Sequence, residues 1–366
     1  MRILIAGIYG FVGYSLVKHW RQSGAVHQLI GVDNLSRAGS EINRQQLRQW
    51  GVPVYHADIR CPSDLQNLPD VDWVIDAAAN PSVMAGIDGA SSSRQVMEHN
   101  LVGTINMLEF CRDRKAGFLL LSTSRVFSIE PLSKLKLTVE NDSYKPTADQ
   151  SFPIGASVDG IDETFLSRPP LSLYGAAKAA SEILALEYSA TFNIPVWINR
   201  CGILAGAGQF GHAEQGIFSY WVHTWNARRP LKYIGFGGAG HQVRDAMHPR
   251  DLAAAIDWQL DNQAYEGERI FNLAGGVENA TSLRQLSDWC ENRFGKHVVT
   301  AQPEQRSFDV PWLVLNSSRA RDVMGWRPTV SLEEILDEIA QFAAANPRWL
   351  DLCQNTGKPS QQAGSR

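Results

Sequence analysis

Cysteine is scarce in this sequence: Cys61, Cys111, Cys201, Cys290 and Cys353 are odd in number, far apart, and form no pair at the spacing of a zinc site or a redox motif. That excludes a disulfide framework as the source of stability and fits free thiols in a reducing cytoplasm. Long apolar runs are missing too. No stretch is long enough to cross a bilayer, and the short run at residues 3–8 lacks the charged start and small-residue cleavage site of a signal peptide, so no membrane partner is expected. Charge of one sign is likewise absent: 34 Lys and Arg stand against 38 Asp and Glu, for a formal net charge of -4. Such a balance offers no field attractive to a polyanion, which argues against nucleic acid as a partner. His212, His223, His241 and His248 stand at no ligand spacing on a helical face, so no metal site is expected. There is no internal repeat.

What the sequence does hold is an ordinary globular composition, 44% hydrophobic and 20% charged over 366 residues, enough for one large domain and a smaller lobe. Its first half alternates short apolar runs with helical patterns, the mark of a parallel sheet covered by helices. Strands are predicted at 3–6, 29–32, 54–56, 73–76, 118–122 and 196–199. Helices at 11–23, 95–114 and 173–192 are long enough to serve as right-handed crossovers. The fold class is therefore α/β, a doubly wound parallel sheet. Beyond about residue 200 the pattern changes: 202–216 is glycine-rich, the aromatics Phe218, Tyr220, Trp221 and Trp225 follow, and shorter helices are predicted at 282–294 and 331–343, with a late sheet strand at 269–273. Residues 127–171 hold seven prolines or glycines and little periodicity, too long for an ordinary connection and therefore either functional or an insertion. Residues 355–366 are small and polar, and a flexible tail is expected there.

The first predicted strand runs into Gly7-Ile8-Tyr9-Gly10-Phe11-Val12-Gly13, three glycines at three-residue spacing that open a helix. Glycine permits the tight turn, lets a pyrophosphate approach the main-chain amides, and lets helix and strand pack closely. The amides and dipole at a helix start then favour the anion. The second strand ends in Asp33, 26 residues beyond Gly7, where a carboxylate can accept bonds from an adenosine ribose. A plain strand-to-helix turn would need glycine only for packing and would not place the acid there. Asp33 favours NAD, because a carboxylate repels the extra phosphate of NADP; Arg37 keeps NADP open, or contacts the adenine, or is solvated. Asp58, after the third strand, either touches the adenine or caps a helix. Phe11, Val12, Asn34, Ile59 and Ala77 complete the expected dinucleotide contacts.

In Leu173-Tyr174-Gly175-Ala176-Ala177-Lys178 the tyrosine and lysine are four apart, on one face of a helix. A free phenol, with a pKa near ~10, is a poor base at neutral pH, but an adjacent ammonium and a cationic nicotinamide both favour the phenolate. As a bare pattern this spacing usually marks a surface helix; its place downstream of a dinucleotide fingerprint raises it. The fifth strand ends Leu121-Ser122-Thr123-Ser124-Arg125, setting hydroxyls at the carboxyl edge of the sheet, where one could share a substrate proton with Tyr174 or simply bond its own backbone.

Together the glycine triplet, Asp33, Thr123, Tyr174 and Lys178 resemble the extended short-chain dehydrogenase/reductases over nearly the whole chain. Within that group the sequence is most similar to the CDP-paratose 2-epimerase (CDP-tyvelose epimerase) branch, through 33–37, 122–126, 170–178 and Gly240-His241-Gln242-Val243-Arg244-Asp245. The resemblance implies an NAD-binding Rossmann domain at 1–200 with later returns near 241–274, a smaller interwoven α/β substrate lobe at 201–240 and 275–350, and NAD as cofactor. It implies that Thr123, with Ser124 beside it, is the catalytic hydroxyl, Tyr174 the general base and acid, and Lys178 the support of phenolate and ribose. It implies that Arg244 and Arg306 clamp the diphosphate of a nucleotide-sugar substrate, although a surface ion pair with Asp245 or Asp309 is the plainer alternative for either. Ser124, Arg125, Asn199, Gln209 and Phe210 join them as candidate substrate contacts. Two departures stand out: Phe127 replaces a non-catalytic tyrosine, and Pro311 replaces an arginine of the nucleotide site.

Dehydratases of the group follow the strand-end hydroxyl with an aspartate and a glutamate, and decarboxylases keep an acid there; this chain has Ser124 and Arg125. The resemblance therefore implies epimerisation: hydride leaves a sugar carbon for NAD, the ketone turns over, and hydride returns to the other face. Inversion at C2 is expected from the similarity, with C4 inversion of a UDP-hexose next and a non-catalytic NAD sensor as the alternative of another class. A homodimer or homotetramer through helices 95–114 and 173–192 is implied as well.

Overall fold

The apolar runs of the first half become parallel strands: β1 Arg2–Ala6, β2 Gln28–Asp33, β3 Val54–His56, β4 Trp73–Asp76 and β5 Gly117–Thr123, followed by Val196–Cys201 and Ile270–Leu273. The structure is a computed structural model that describes residues 1–353 apart from 26, 88, 90, 213, 214 and 305. The tail expected at 355–366 lies outside the described residues. The seven strands form one sheet in the order Ile270–Leu273, Val196–Cys201, β5, β4, β1, β2, β3, with every pairing parallel. Strand order reverses between β1 and β4, so the loops after these two strands part and leave a crevice at the carboxyl edge. β4 and β5 are buried along their whole length, as strands covered on both faces must be. Each aliphatic side chain buried as fully as Val74, Ile75 or Leu120 contributes about 1.5–3 kcal/mol.

Helices Phe11–Ser23 and Leu173–Phe192 have the predicted bounds. The helix expected at 95–114 does not run unbroken. It is α-helical over Ser93–Met97, widens to a π-helical turn over Glu98–Val102, and resumes over Gly103–Arg114. The reason is Asn100, fully buried at the wide turn. Its Oδ1 accepts from Asn80 N (2.8 Å) and its Nδ2 donates to Asn80 O (3.1 Å), so a side chain on the helix stands in as a strand-like partner for the loop after β4. Such turns recur at functional sites.

The second half contributes a small mixed sheet of Ile203–Leu204, Val243–Met247, Ala280–Ser282 and Trp312–Leu313. Helices Ile217–Asn226, Leu283–Phe294 and Leu332–Ala345 cover it with their own apolar cluster, built on Phe218, Trp221, Trp225, Leu286, Ile335 and Ile339. Helix Pro249–Asp261 returns to the large sheet, where Leu252, Ile256 and Leu260 join the core beside Leu16 and Trp20. Residues 127–171 carry secondary structure of their own: helix Ile129–Ser133 and the hairpins Leu137–Glu140 with Ser143–Pro146, and Ala156–Ser157 with Gly160–Ile161. Phe127, Leu132, Ile161 and Phe165 of this region pack on Val243 and on Trp312, Leu313 and Leu315, so it braces the second half against the large sheet.

Candidate active site

One cleft is lined by the turn after β1, by Tyr174 and by Arg306, and at that turn the backbone allows no side chain. Gly7 has φ +76°, and a Cβ there would lie 2.9 Å from Ala78 Cα in the loop after β4. Gly13 lies outside the cleft lining: a Cβ on it would stand 2.6 Å from Gly7 O, so its role is the close packing of helix on strand. Gly10, Phe11, Val12, Asn34, Ile59 and Ala77 all line the cleft. Asp33 caps β2 with its carboxylate, accepting from Tyr9 N (2.9 Å) and Leu35 N (2.8 Å). Burial raises its pKa above the ordinary aspartate value, against the opposing pull of those amides. Each oxygen keeps acceptor capacity for a ribose hydroxyl. Next to it, Asp58 is no helix cap: it accepts from Asn34 Nδ2 (3.0 Å) and from Arg60 Nη2 (2.5 Å), and chiefly the Arg60 bond holds its carboxyl well below the usual range. The cradle and the acid fit a dinucleotide, whose pyrophosphate the amides of Gly7–Gly13 would meet.

Arg37 is not solvated. It reaches over the cleft to the second half, where it bonds Gln215 Oε1 and donates to Phe210 O (3.2 Å), with its guanidinium 5.7 Å from the Phe210 ring centre. Phe210 is itself stacked on Trp349 at 5.4 Å, and Gln209, its buried neighbour, donates to Leu204 O (2.5 Å). Both residues line the cleft.

Thr123, Tyr174 and Lys178 meet in the same lining. Helix Leu173–Phe192 starts at Ser172, whose hydroxyl accepts from Gly175 N (3.0 Å) and so fixes the first turn, placing Tyr174 and Lys178 toward the cleft. The Thr123 side chain at the end of β5 faces the Tyr174 hydroxyl and favours its ionised form. Burial pushes the phenol up to about 12, while Thr123 and the charge of Arg125 pull it down. Lys178 is buried and its pKa is lowered by desolvation, against the attraction of Asp76, Cys201 and Glu182. Behind them a buried network sets the geometry: Glu182 accepts from Ser122 Oγ (2.5 Å) and from Arg200 Nη2 (2.7 Å), tying helix Leu173–Phe192 to β5 and to Val196–Cys201. Arg200 also donates to Glu163 O (3.2 Å), which anchors the 127–171 region to the same point.

The same lining carries positive charge: Arg125, Arg244 and Arg306 join Ser124 in it. Arg244 is both clamp candidate and ion-pair member: its Nη2 donates to Asp309 Oδ1 (2.6 Å) and Val310 O (2.8 Å), and it still faces the cleft. Arg125 donates to Phe308 O (3.4 Å). Each of Arg125 and Arg244 has its pKa depressed, first by burial, with a contribution from Arg306 in both cases. Burying this much positive charge is favourable only with an anion in attendance.

Residues 3–274 match the family model described as the NAD dependent epimerase/dehydratase family. The chain belongs to that family. Among curated proteins this epimerase/dehydratase is 26% identical to the CDP-paratose 2-epimerase of Salmonella typhi, over 94% of this chain and 100% of the relative. It is 25% identical to a UDP-glucuronate 4-epimerase of Thermodesulfobacterium geofontis, over 94% and 96% of the two chains. In fold it is similar to the UDP-glucose 4-epimerase of Thermotoga maritima solved with UDP-glucose (TM-score 0.75, 23% identity, 94% of this chain and 99% of that one). Its cofactor is NAD, as the family description states.

One expected contact of this epimerase/dehydratase is corrected. Asn199 is fully buried in the strand Val196–Cys201 and exchanges two bonds with the Gln259 amide (2.9 and 2.7 Å), which satisfies it away from the cleft. Cys201, on the same face of the strand but at its carboxyl end, lines the cleft instead, and burial pushes its thiol up to about 12. Asn100, Arg60 and Gln215 were missed. Arg60 could have been found from its place two residues after Asp58; a polar Asn100 within an apolar helix face was a second available signal.

Proposed function

We propose that this chain inverts one carbon of a nucleotide-diphosphate sugar by transient oxidation and re-reduction with NAD. The observation that carries the reading is one cleft lined together by a glycine turn and an acid suited to a dinucleotide, by Thr123, Tyr174 and Lys178, and by Arg125, Arg244 and Arg306. When bound, NAD supplies the hydride acceptor and donor. Tyr174 takes the hydroxyl proton of the sugar as hydride leaves and returns it at the end, Thr123 shares that proton, and Lys178 holds the ribose and favours the phenolate. Arg244 and Arg306 hold the diphosphate as planar forks, with Arg125 and Ser124 toward the sugar. No carboxylate follows Thr123, which leaves an elimination of water without its extra acid and base.

The similarity to CDP-paratose 2-epimerase favours C2 inversion of a CDP-sugar, and the similarity to UDP-glucuronate 4-epimerase keeps C4 inversion of a UDP-sugar as the second reading. Asp33 at the ribose and Arg37 engaged elsewhere support NAD over NADP. We assign 1–200, with returns near 241–274, to the cofactor domain and 201–240 with 275–350 to the substrate lobe. A cytoplasmic homodimer or homotetramer goes with this reading. No helix among the described residues is long and apolar enough to cross a membrane.

The test is incubation with CDP-, UDP-, GDP- and dTDP-sugars in heavy water, followed by NMR. One inverted stereocentre that keeps its protium is the expected result, since the hydride comes back from the cofactor. Loss of water from the sugar, or deuterium at the inverted carbon, would refute the proposed cycle.

A further inference from the structure

The region 127–171 reaches the substrate side of the cleft without entering it: among the described residues, none from 127–171 lines the cleft. Its hairpin Leu137–Glu140 with Ser143–Pro146 turns on Asn141 and Asp142, at φ +50° and +59°, a two-residue turn with both central residues left-handed. That hairpin grips one end of a strand pair. Val243–Met247 and Ala280–Ser282 run antiparallel, with Val243 opposite Ser282 and Arg244 opposite Thr281. On the side of the first strand, Tyr144 N donates to His241 O (3.0 Å), two residues before Val243. On the other side, Ser282 Oγ donates to Asp142 O (2.7 Å) and Gln285 Nε2 donates to Asn141 O (2.9 Å). Ser282 and Gln285 are also the two members of the capping box that starts helix Leu283–Phe294: Ser282 Oγ accepts from Gln285 N (3.0 Å), and Gln285 Oε1 accepts from Ser282 N (3.0 Å). Each side chain thus serves the helix start and the hairpin tip at once.

We propose that the hairpin tip Asn141–Asp142 is a positioning element for the substrate: it fixes the corner where the two strands and the helix meet, and so holds Thr281, Ser282 and Leu283 in the cleft wall beside Arg244. The inference rests on the sugar-nucleotide reading, in which Arg244 holds the diphosphate. Gln242, Arg244, Thr281, Ser282 and Leu283 all line the cleft, and each bond from the hairpin lands on one of these residues or within two positions of one. Wall residues fixed before binding lose less freedom when the ligand arrives, and the affinity gains accordingly. The bonds go to main-chain carbonyls of the tip, so they depend on the length of the hairpin and on the side chains of Ser282 and Gln285.

Gln285 allows the two roles to be separated. Q285E keeps the acceptor of the capping box and loses the donor to Asn141 O, whereas Q285K keeps a donor for Asn141 O and loses the capping acceptor. NAD-loaded wild type and variants are titrated with CDP, UDP, GDP and dTDP by calorimetry, and their thermal midpoints are measured alongside. For the nucleotide that the wild type binds best, Q285E should bind about tenfold more weakly, near the worth of one hydrogen bond, with NAD content and thermal midpoint close to wild type. Q285K should bind that nucleotide nearly as well as wild type despite a lower midpoint. A further variant, with residues 140–143 replaced by Asn-Gly, draws the tip back and should lose at least as much affinity as Q285E. Wild-type affinity in Q285E or in the shortened hairpin overturns the inference, as does affinity that simply follows the thermal midpoint across the variants. A wild type that binds none of the four nucleotides strikes the sugar-nucleotide reading itself, and this inference with it.

Discussion

The two ends of the cleft are built on opposite principles. At the end we propose for the cofactor, the pyrophosphate and adenosine ribose would be met by main-chain amides and one acid from the first 33 residues, and the decisive feature is the absence of side chains at Gly7 and Gly10. At the end we propose for the substrate stand three arginines drawn from distant parts of the chain, Arg125, Arg244 and Arg306, and the decisive feature is charge held in place by a partly buried loop. A dinucleotide can be met by local backbone shape because its pyrophosphate needs only N–H groups. A sugar nucleotide that must turn within the pocket needs holding at its far end, which side chains from several elements can do only after the chain has folded.

Tyr174 lies between the two ends, and its removal should have the largest effect. Tyr174→Phe should lower turnover by roughly a thousandfold, within the range of general acid–base catalysis, while co-purifying NAD is unchanged. Near-normal turnover would erase the boundary between the ends altogether. Arg244→Ala should weaken sugar-nucleotide binding about a hundredfold (~3 kcal/mol) and leave NAD content alone. It also strands the Asp309 carboxylate, so thermal stability should fall with it. Equal losses of substrate and NAD affinity would mean that the ends are not separable. Asp33→Ala should have the smallest effect, relaxing the preference for NAD over NADP by about tenfold, the worth of one hydrogen bond to a charged group. An unchanged cofactor ratio, measured by competition binding, would remove Asp33 from the ribose.

The same contrast explains what the sequence could and could not tell. Hydrophobic alternation located the central strands to within a residue or two, and Gly7, Asp33 and Tyr174 were legible because each belongs to a motif of fixed local spacing. Periodicity could not show that Asn100 would open the helix at 98–102, since its partner Asn80 lies in the loop after β4, far from the helix in sequence. Nor could it place Asn199, whose partner Gln259 lies on a helix from much later in the chain. The reach of Arg37 across to Gln215 and the pairing of Arg244 with Asp309 are long-range contacts of the same kind. Residues 127–171 read as irregular because their hairpins are short, yet through Glu163 and Arg200 they are fastened to helix Leu173–Phe192.

The most direct test is the absorbance of reduced nicotinamide when purified protein, with no NAD added, meets its nucleotide sugar. A small, substoichiometric rise that holds steady while the inverted sugar accumulates is the expected result, because the hydride is only borrowed. A stoichiometric build-up of reduced cofactor with release of an oxidised sugar, or no absorbance change at all during turnover, would contradict the borrowed-hydride cycle centred on Tyr174.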